Sequence, residues 1–285
     1  MNRENLHLAD GRNLEYLCNG AIKQSAIILH AGTTQDITGW QTWLDYFSSQ
    51  NVFALAIGRS GYAGSSKKNG RITIDIASDV AELSSALEIT KFVNIGLSGG
   101  GQHAIATGLD PRSAGVVTIG SLAPYAELGK DFYTGMQQAD LDEYSDAVKD
   151  INLLIKRFQS WQNQDLTQTI GGAQLSENDL AASNKPTWKC IMQSCEFTMS
   201  QGWDWVADDY SSYLNPWGFD PRDVKVPTII WQGGLDKNVP SQHGIWLAKH
   251  MPNTRLELRA DESHLGIYVN YEIDIMKSGI ELLNG

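Results

Sequence analysis

Ser98 stands in the run Gly96-Leu97-Ser98-Gly99-Gly100, with a glycine two positions before it and two directly after. Glycines so placed let a chain turn sharply from a strand into a helix, which strains the serine between them and lifts its hydroxyl clear of the sheet. A serine hydroxyl is a weak nucleophile near neutral pH, so it needs a base within hydrogen-bonding reach and an acid that orients the base. Both types occur downstream. Asp236 ends Gln232-Gly233-Gly234-Leu235-Asp236, and His264 ends Asp261-Glu262-Ser263-His264, 28 residues later. The order serine, aspartate, histidine is the one found where the nucleophile sits on a strand-to-helix elbow. The chemistry this trio supports is acyl transfer through a covalent acyl-enzyme.

Acyl transfer also needs donors for an oxyanion. The backbone N–H of Gly99, directly after the nucleophile, is the expected first donor, and the loop His30-Ala31-Gly32-Thr33-Thr34 supplies the second, Gly32 N–H, with Thr33 as the fallback. Ala31-Gly32 also reads as an ordinary tight turn. Of six histidines, only His264 follows a late strand in a loop. His30 ends a buried strand and reads as structural, His103 as a packing residue on the helix after Ser98, His243 and His250 as parts of an amphipathic helix, and His7 as part of an opening hairpin. Asp220, Asp223 and Asp261 are simplest as solvated loop or cap residues.

These side chains need a frame. Asp10-Gly11 is a turn signal between two short strand-like runs. Apolar runs at 26–29, 52–57, 92–97, 116–119 and 226–231 follow, of the kind found in parallel strands buried on both faces. Apolar residues at 76, 80, 83 and 87 mark one face of a helix between the second and third runs. Such alternation predicts an α/β fold, a parallel sheet with helices on both sides, whose strand ends bring Ser98, Asp236 and His264 to one edge. Further helices are expected over 241–249 and 271–283, with a strand at 254–258.

The alternation stops at residue 124 and resumes near 221, which predicts a core of residues 1–123 and 221–285 with a helical lid at 124–220. Leu141, Tyr144, Val148, Ile151, Ile155 and Phe158 are spaced three and four apart, predicting one long amphipathic helix over 140–159. The lid carries six basic and fifteen acidic residues, hence nearly all of the net charge of −11. It also holds five of nine tryptophans, Trp161, Trp188, Trp203, Trp205 and Trp217. Trp203 and Trp217, with Thr33, are the candidates for substrate contact, although the tryptophans serve equally well as lid core.

Composition excludes other classes. A chain of 285 residues with 42% hydrophobic content buries a large core. It has no bilayer-length apolar run and no apolar stretch behind its first charges, so the expected location is the cytoplasm. Three cysteines lack zinc spacing and are too few for a disulfide scaffold. The negative charge disfavours nucleic acid. No metal or cofactor is expected, nor a membrane partner; the partner is a small-molecule substrate, and the chain is a monomer or homodimer.

Together, Ile95-Gly96-Leu97-Ser98-Gly99-Gly100-Gly101-Gln102-His103-Ala104, Asn215-Pro216-Trp217-Gly218-Phe219-Asp220 and Trp231-Gln232-Gly233-Gly234-Leu235-Asp236 resemble the α/β-hydrolase superfamily, in particular a bacterial branch of lidded hydrolases. The resemblance spans nearly the whole chain and implies the α/β-hydrolase fold and a Ser98, Asp236, His264 triad. Two departures stand out. Ala31 follows His30 where a glycine is usual, which bears on the second oxyanion donor, and Gly58 precedes Arg59 where an acid is usual, which bears on how Arg59 is held.

A serine nucleophile disfavours the branches that attack with aspartate. The expected activity is therefore hydrolysis of a small or medium carboxylic ester. The alternatives are a lactone, an amide or peptide, or a C–C bond on the same triad, a cofactor-free perhydrolase, and a non-catalytic ligand-binding protein.

Overall fold

Eight strands form the central sheet of the computed structural model, which describes residues 3–161, 169–170, 173–174 and 177–285. They are β1 (Arg3–His7), β2 (Asn13–Cys18), β3 (Ser25–His30), β4 (Ala54–Ile57), β5 (Lys91–Leu97), β6 (Ser113–Ile119), β9 (Thr228–Gly233) and β10 (Thr254–Arg259); β7 (Thr169–Ile170) and β8 (Ala173–Gln174) pair separately. The sheet order is β1-β2-β4-β3-β5-β6-β9-β10. β1 and β2 form the antiparallel hairpin, β2 pairs antiparallel with β4, and all later pairings are parallel. The expected Asp10-Gly11 turn lies inside a slightly longer reversal, closed by Leu8 N–H donating to Arg12 O at 2.8 Å.

The strands are apolar on both faces because both faces are covered. Along β3, Ile27 and Leu29 join one core while Ala26 and Ile28 join the other. Each such buried Ile or Leu contributes about 1.5–3 kcal/mol. α1 (Gln41–Ser49) covers the first face with Trp43 and Phe47, and α2 (Asp75–Ala86) covers the second with Ile76, Val80 and Leu83. α3 (Gly101–Thr107) lies behind β5 and β6.

Between β6 and β9 the described residues add no strand to the sheet. It forms α4 (Tyr125–Leu128), α5 (Gln138–Lys149), α6 (Ile151–Trp161), α7 (Glu177–Ala182), α8 (Pro186–Ser200) and α9 (Asp204–Leu214). α8 packs on the body, where Trp188 and Ile191 enter the core beside Trp43. α10 (Gln242–His250), α11 (His264–Asn270) and α12 (Glu272–Asn284) complete the layers.

The single helix expected over 140–159 is corrected to two. Asp150 is extended at φ −167° and ψ 117°, and its Oδ1 accepts from Asn152 N–H at 3.0 Å. It therefore caps α6 instead of continuing α5. The buried face differs too. On α5 it is Asp140, Glu143 and Tyr144, while Val148 is 67% exposed.

Candidate active site

The parallel register aligns His30 with Gly96, Leu97 with Ile119, and Ile119 with Trp231, so the loops after β3, β5, β6 and β9 share one edge of the sheet. Ser98 opens the turn between β5 and α3 with φ +51°, a left-handed conformation costing about 1–3 kcal/mol for a residue with a side chain. The glycines around it answer to close packing. A Cβ on Gly96 would lie 2.5 Å from Gly100 O, and one on Gly100 would strike His30 O.

His264 begins α11, directly after Ser263, whose hydroxyl accepts from Gly266 N–H and caps that helix. Its Nδ1 lies 2.7 Å from Asp236 Oδ2. The other oxygen of Asp236 accepts the N–H groups of Asn238 at 2.9 Å and Val239 at 2.8 Å, and Gln232 Nε2 reaches Oδ2 at 3.3 Å. The carboxylate is thus fixed, and it holds Nδ1 as the protonated nitrogen, leaving Nε2 free to accept. Burial pulls the His264 imidazole down, but the charge and hydrogen bond of Asp236 outweigh it, with Asp140 and Asp179 adding. The net effect is a ring that keeps its proton to higher pH than an ordinary histidine.

Ser98 and His264 line one cavity of about 160 Å³, together with Gly32, Thr33 and Gly99. Ser98 Oγ has no hydrogen-bond partner among the described residues. Catalytic contacts of this kind commonly tighten only when substrate binds. Gly32 N–H donates to Gln35 Oε1 at 3.2 Å, so the amide oxygen of Gln35 occupies that donor.

Three of the remaining histidines, His30, His103 and His243, are structural in geometry. His30 is fully buried with Nε2 3.2 Å from Asn94 Oδ1, and burial pushes it down to about 4. His103 is buried against Thr73 O at 3.3 Å. His243 accepts from Ala123 N–H at 3.1 Å and donates to Phe132 O at 2.9 Å, and burial takes it to about 4.

Thr33 lines the cavity, but Trp203 and Trp217 do not. Trp217 is buried against Phe219 and the residues behind α3, and Trp203 packs on Phe158 and Trp205. Trp188 and Trp205 are also core; the side chain of Trp161 lies outside the described residues. The apolar wall is instead built from Ile191, Met192, Cys195 and Met199 of α8 and from Phe158.

Two features were not read from the sequence. The first is how Arg59 is held. Asp209 of α9, fully buried, accepts from Arg59 Nη2 at 2.8 Å, from the hydroxyls of Tyr62 at 2.5 Å and Tyr213 at 2.8 Å, and from Arg71. Because Tyr213 donates to Asp209, the Thr33 hydroxyl donates to Tyr213, at 2.5 Å. Arg59 in turn donates to Ala31 O and, at 3.4 Å, to Gly32 O. One carboxylate thus ties the loop after β3 to the helices above it. Burial opposes the charge on Asp209, but Arg59 and Arg71 outweigh it and hold the carboxyl far below the usual range. The second is that Asp140 and Glu143 line the cavity, with Tyr144, Tyr210 and Tyr213. Neither acid gets a place from the sequence, because the expected helix rests only on the apolar positions of this segment.

Among the described residues, no group of three or more His, Cys, Asp or Glu side chains is placed to hold a metal, and no helix is long and apolar enough to cross a membrane.

The sequence model of the alpha/beta hydrolase fold family matches residues 25–271, and the chain belongs to that family. Its fold is similar to those of a thermophilic esterase from Thermogutta terrifontis (17% identity, TM-score 0.70, covering 100% of this chain and 98% of that one). It is likewise similar to an enol-lactonase from Burkholderia xenovorans (17%, 0.70, 99% and 100%) and a bromoperoxidase from Bacillus anthracis (18%, 0.67, 100% and 100%). A search of curated proteins found no match.

Proposed function

We propose that the protein is a serine hydrolase that cleaves a small or medium carboxylic ester through an acyl-enzyme on Ser98. The observation that carries this reading is the Asp236–His264 hydrogen bond of 2.7 Å at the cavity that Ser98 also lines, with the serine backbone at φ +51°. His264 Nε2 takes the proton from Ser98 Oγ as it attacks the carbonyl carbon, and Asp236 stabilises the imidazolium formed. Gly99 N–H and Gly32 N–H receive the oxyanion, the second once Gln35 Oε1 gives way. The C–O bond to the leaving alcohol breaks as His264 returns the proton to it. Water, deprotonated by the same nitrogen, then releases the acid and restores Ser98. Residues 124–220 act as the lid over this cavity.

The test is turnover of p-nitrophenyl esters from acetate to decanoate by the wild-type protein and Ser98→Ala in parallel. The expected result is hydrolysis that the substitution lowers by a factor on the order of 10⁵–10⁶ in kcat. Equal rates in the two proteins would overturn Ser98 as the nucleophile.

A further inference from the structure

We propose that the cavity takes substrates bearing a protonated primary or secondary amine, held by Asp140, Glu143 and Tyr144 of α5; this rests on the cavity being the substrate site.

The starting point is a helix built against expectation. A helix that covers a core presents apolar residues inward, yet the inward positions of α5 are Asp140, Glu143 and Tyr144, three and four residues apart and therefore on one face. They are 9%, 5% and 7% exposed, and all three line the cavity. Taking carboxyl groups out of water is costly unless a cation or several donors compensate. Few do here. Asp140 takes hydrogen bonds from the Gln137 side chain and, at 3.2 and 3.3 Å, from Asn238 Nδ2, with the His264 ring nearby, and Glu143 Oε2 accepts from the Tyr210 hydroxyl. Arg157, whose charge bears on Glu143, is committed to Asp146 at 2.7 Å and Asp142 at 3.8 Å.

An ionised carboxyl group offers about four acceptor positions. Glu143 Oε1 and the Tyr144 hydroxyl have no hydrogen-bond partner among the described residues. Burial raises both carboxyls, Asp140 to about 7 and Glu143 well above its usual value, Asp140 adding to the latter. The protein therefore leaves a cavity rich in unused acceptors and able to yield protons, beside an apolar wall from α8.

An alkylammonium ion matches this arrangement on three counts. It brings three donors on a compact head. Its charge supplies the compensation that the fold withholds, and Tyr144, Tyr210 and Tyr213, aromatic rings of the kind that attract a cation, line the same cavity. Its alkyl part meets Ile191, Met192 and Met199. A carboxylate ligand would be repelled by either carboxyl once ionised, and a purely aliphatic one would leave both buried without new partners.

The experiment measures binding rather than turnover. Ser98→Ala protein is titrated calorimetrically with n-hexylamine, an ammonium ion at neutral pH, and with n-hexanol, which matches it in length and apolar surface. The expected result is binding of hexylammonium at least about tenfold tighter than hexanol, with proton release seen as a dependence of the heat on the buffer. Introducing Glu143→Gln or Asp140→Asn should remove that preference while hexanol affinity and thermal melting show the fold intact. Equal or weaker binding of hexylammonium, a preference unchanged in both variants, or no binding of either probe would overturn the inference. Because the nucleophile is absent throughout, these outcomes are independent of ester turnover. Equal p-nitrophenyl ester hydrolysis by the wild-type protein and Ser98→Ala overturns the catalytic reading, and failure here overturns the ammonium site alone.

Discussion

Asp209 and the Asp140–Glu143 pair sit in the same acidic, helical stretch between β6 and β9, and all three are buried to less than a tenth exposure. Their surroundings are opposite. Asp209 meets two arginines and two tyrosine hydroxyls, so it is charged, saturated and closed to ligands. Asp140 and Glu143 meet two side-chain amides and one phenol and face a cavity. All three are buried, so it is the partner set that separates a carboxylate that builds the structure from carboxyls left open toward a ligand.

The largest effect that could break this contrast is on stability. Asp209→Ala leaves the buried Arg59 and Arg71 guanidinium groups without an ion-pair partner among the described residues, and we expect a loss of about 3–5 kcal/mol in urea denaturation. Glu143→Gln removes a carboxyl whose ionisation the fold does not support, so it should change stability by no more than about 1 kcal/mol, and in the stabilising direction if at all. Similar costs for the two substitutions would erase the distinction.

The pH dependence of stability sharpens it, because the two sites carry opposite signs. The folded Asp209 carboxyl titrates below an unfolded aspartate, so its stabilisation is present above about pH 4 and lost as the pH falls. Asp140, raised to about 7, keeps a proton that the unfolded chain releases from about pH 4 upward. Its contribution therefore declines as the pH rises from there to neutrality, by at most about 4 kcal/mol at 1.36 kcal/mol per unit. Asp140→Asn should flatten that decline, gaining on the wild-type protein between pH 4 and 7 in chemical denaturation. A constant difference across the range would mean that Asp140 titrates as an ordinary aspartate.

Rates report the same environment on a smaller scale. His264 must be neutral to accept the proton of Ser98, and it is raised, so kcat/KM for a neutral ester should fall on acidification with a midpoint above 6.5, the ordinary histidine value. Asp236, Asp140 and Asp179 face the ring, and because Asp140 titrates in the same range the observed midpoint belongs to the pair. Asp140→Asn should move the acid limb downward by a few tenths of a unit, up to about one. A limb that moves upward would show that Asp140 does not act on the ring.

The legible parts of this molecule are the local ones. The strands announced themselves as short apolar runs because both sheet faces are buried, and Ser98, Asp236 and His264 were readable because each follows a strand at a loop. Asp209 was not readable, since 150 residues separate it from Arg59 and no spacing rule links them; the only hint was the glycine at position 58 where an acid is usual. The break at Asp150 carried a signal that periodicity masked, a capping residue type in the middle of an unbroken three-four pattern. Following the apolar positions alone gave no place to Asp140 and Glu143, and Trp188, Trp205 and Trp217 went to the core because large rings fill the joints between helices.

The smallest effect tests the loop that Asp209 and Arg59 hold in place. Gln35 is 7% exposed, lines the cavity, and puts its amide oxygen 3.2 Å from Gly32 N–H. If that N–H is the second oxyanion donor, the resting enzyme spends interaction energy on its own side chain that substrate must displace. Gln35→Ala should then raise kcat/KM for p-nitrophenyl butyrate by about two- to threefold, since a ground-state contact absent from the transition state is being removed. A drop of tenfold or more would assign Gln35 the opposite role, with its amide N–H group donating to the oxyanion, and would return Gly32 N–H to an ordinary turn contact.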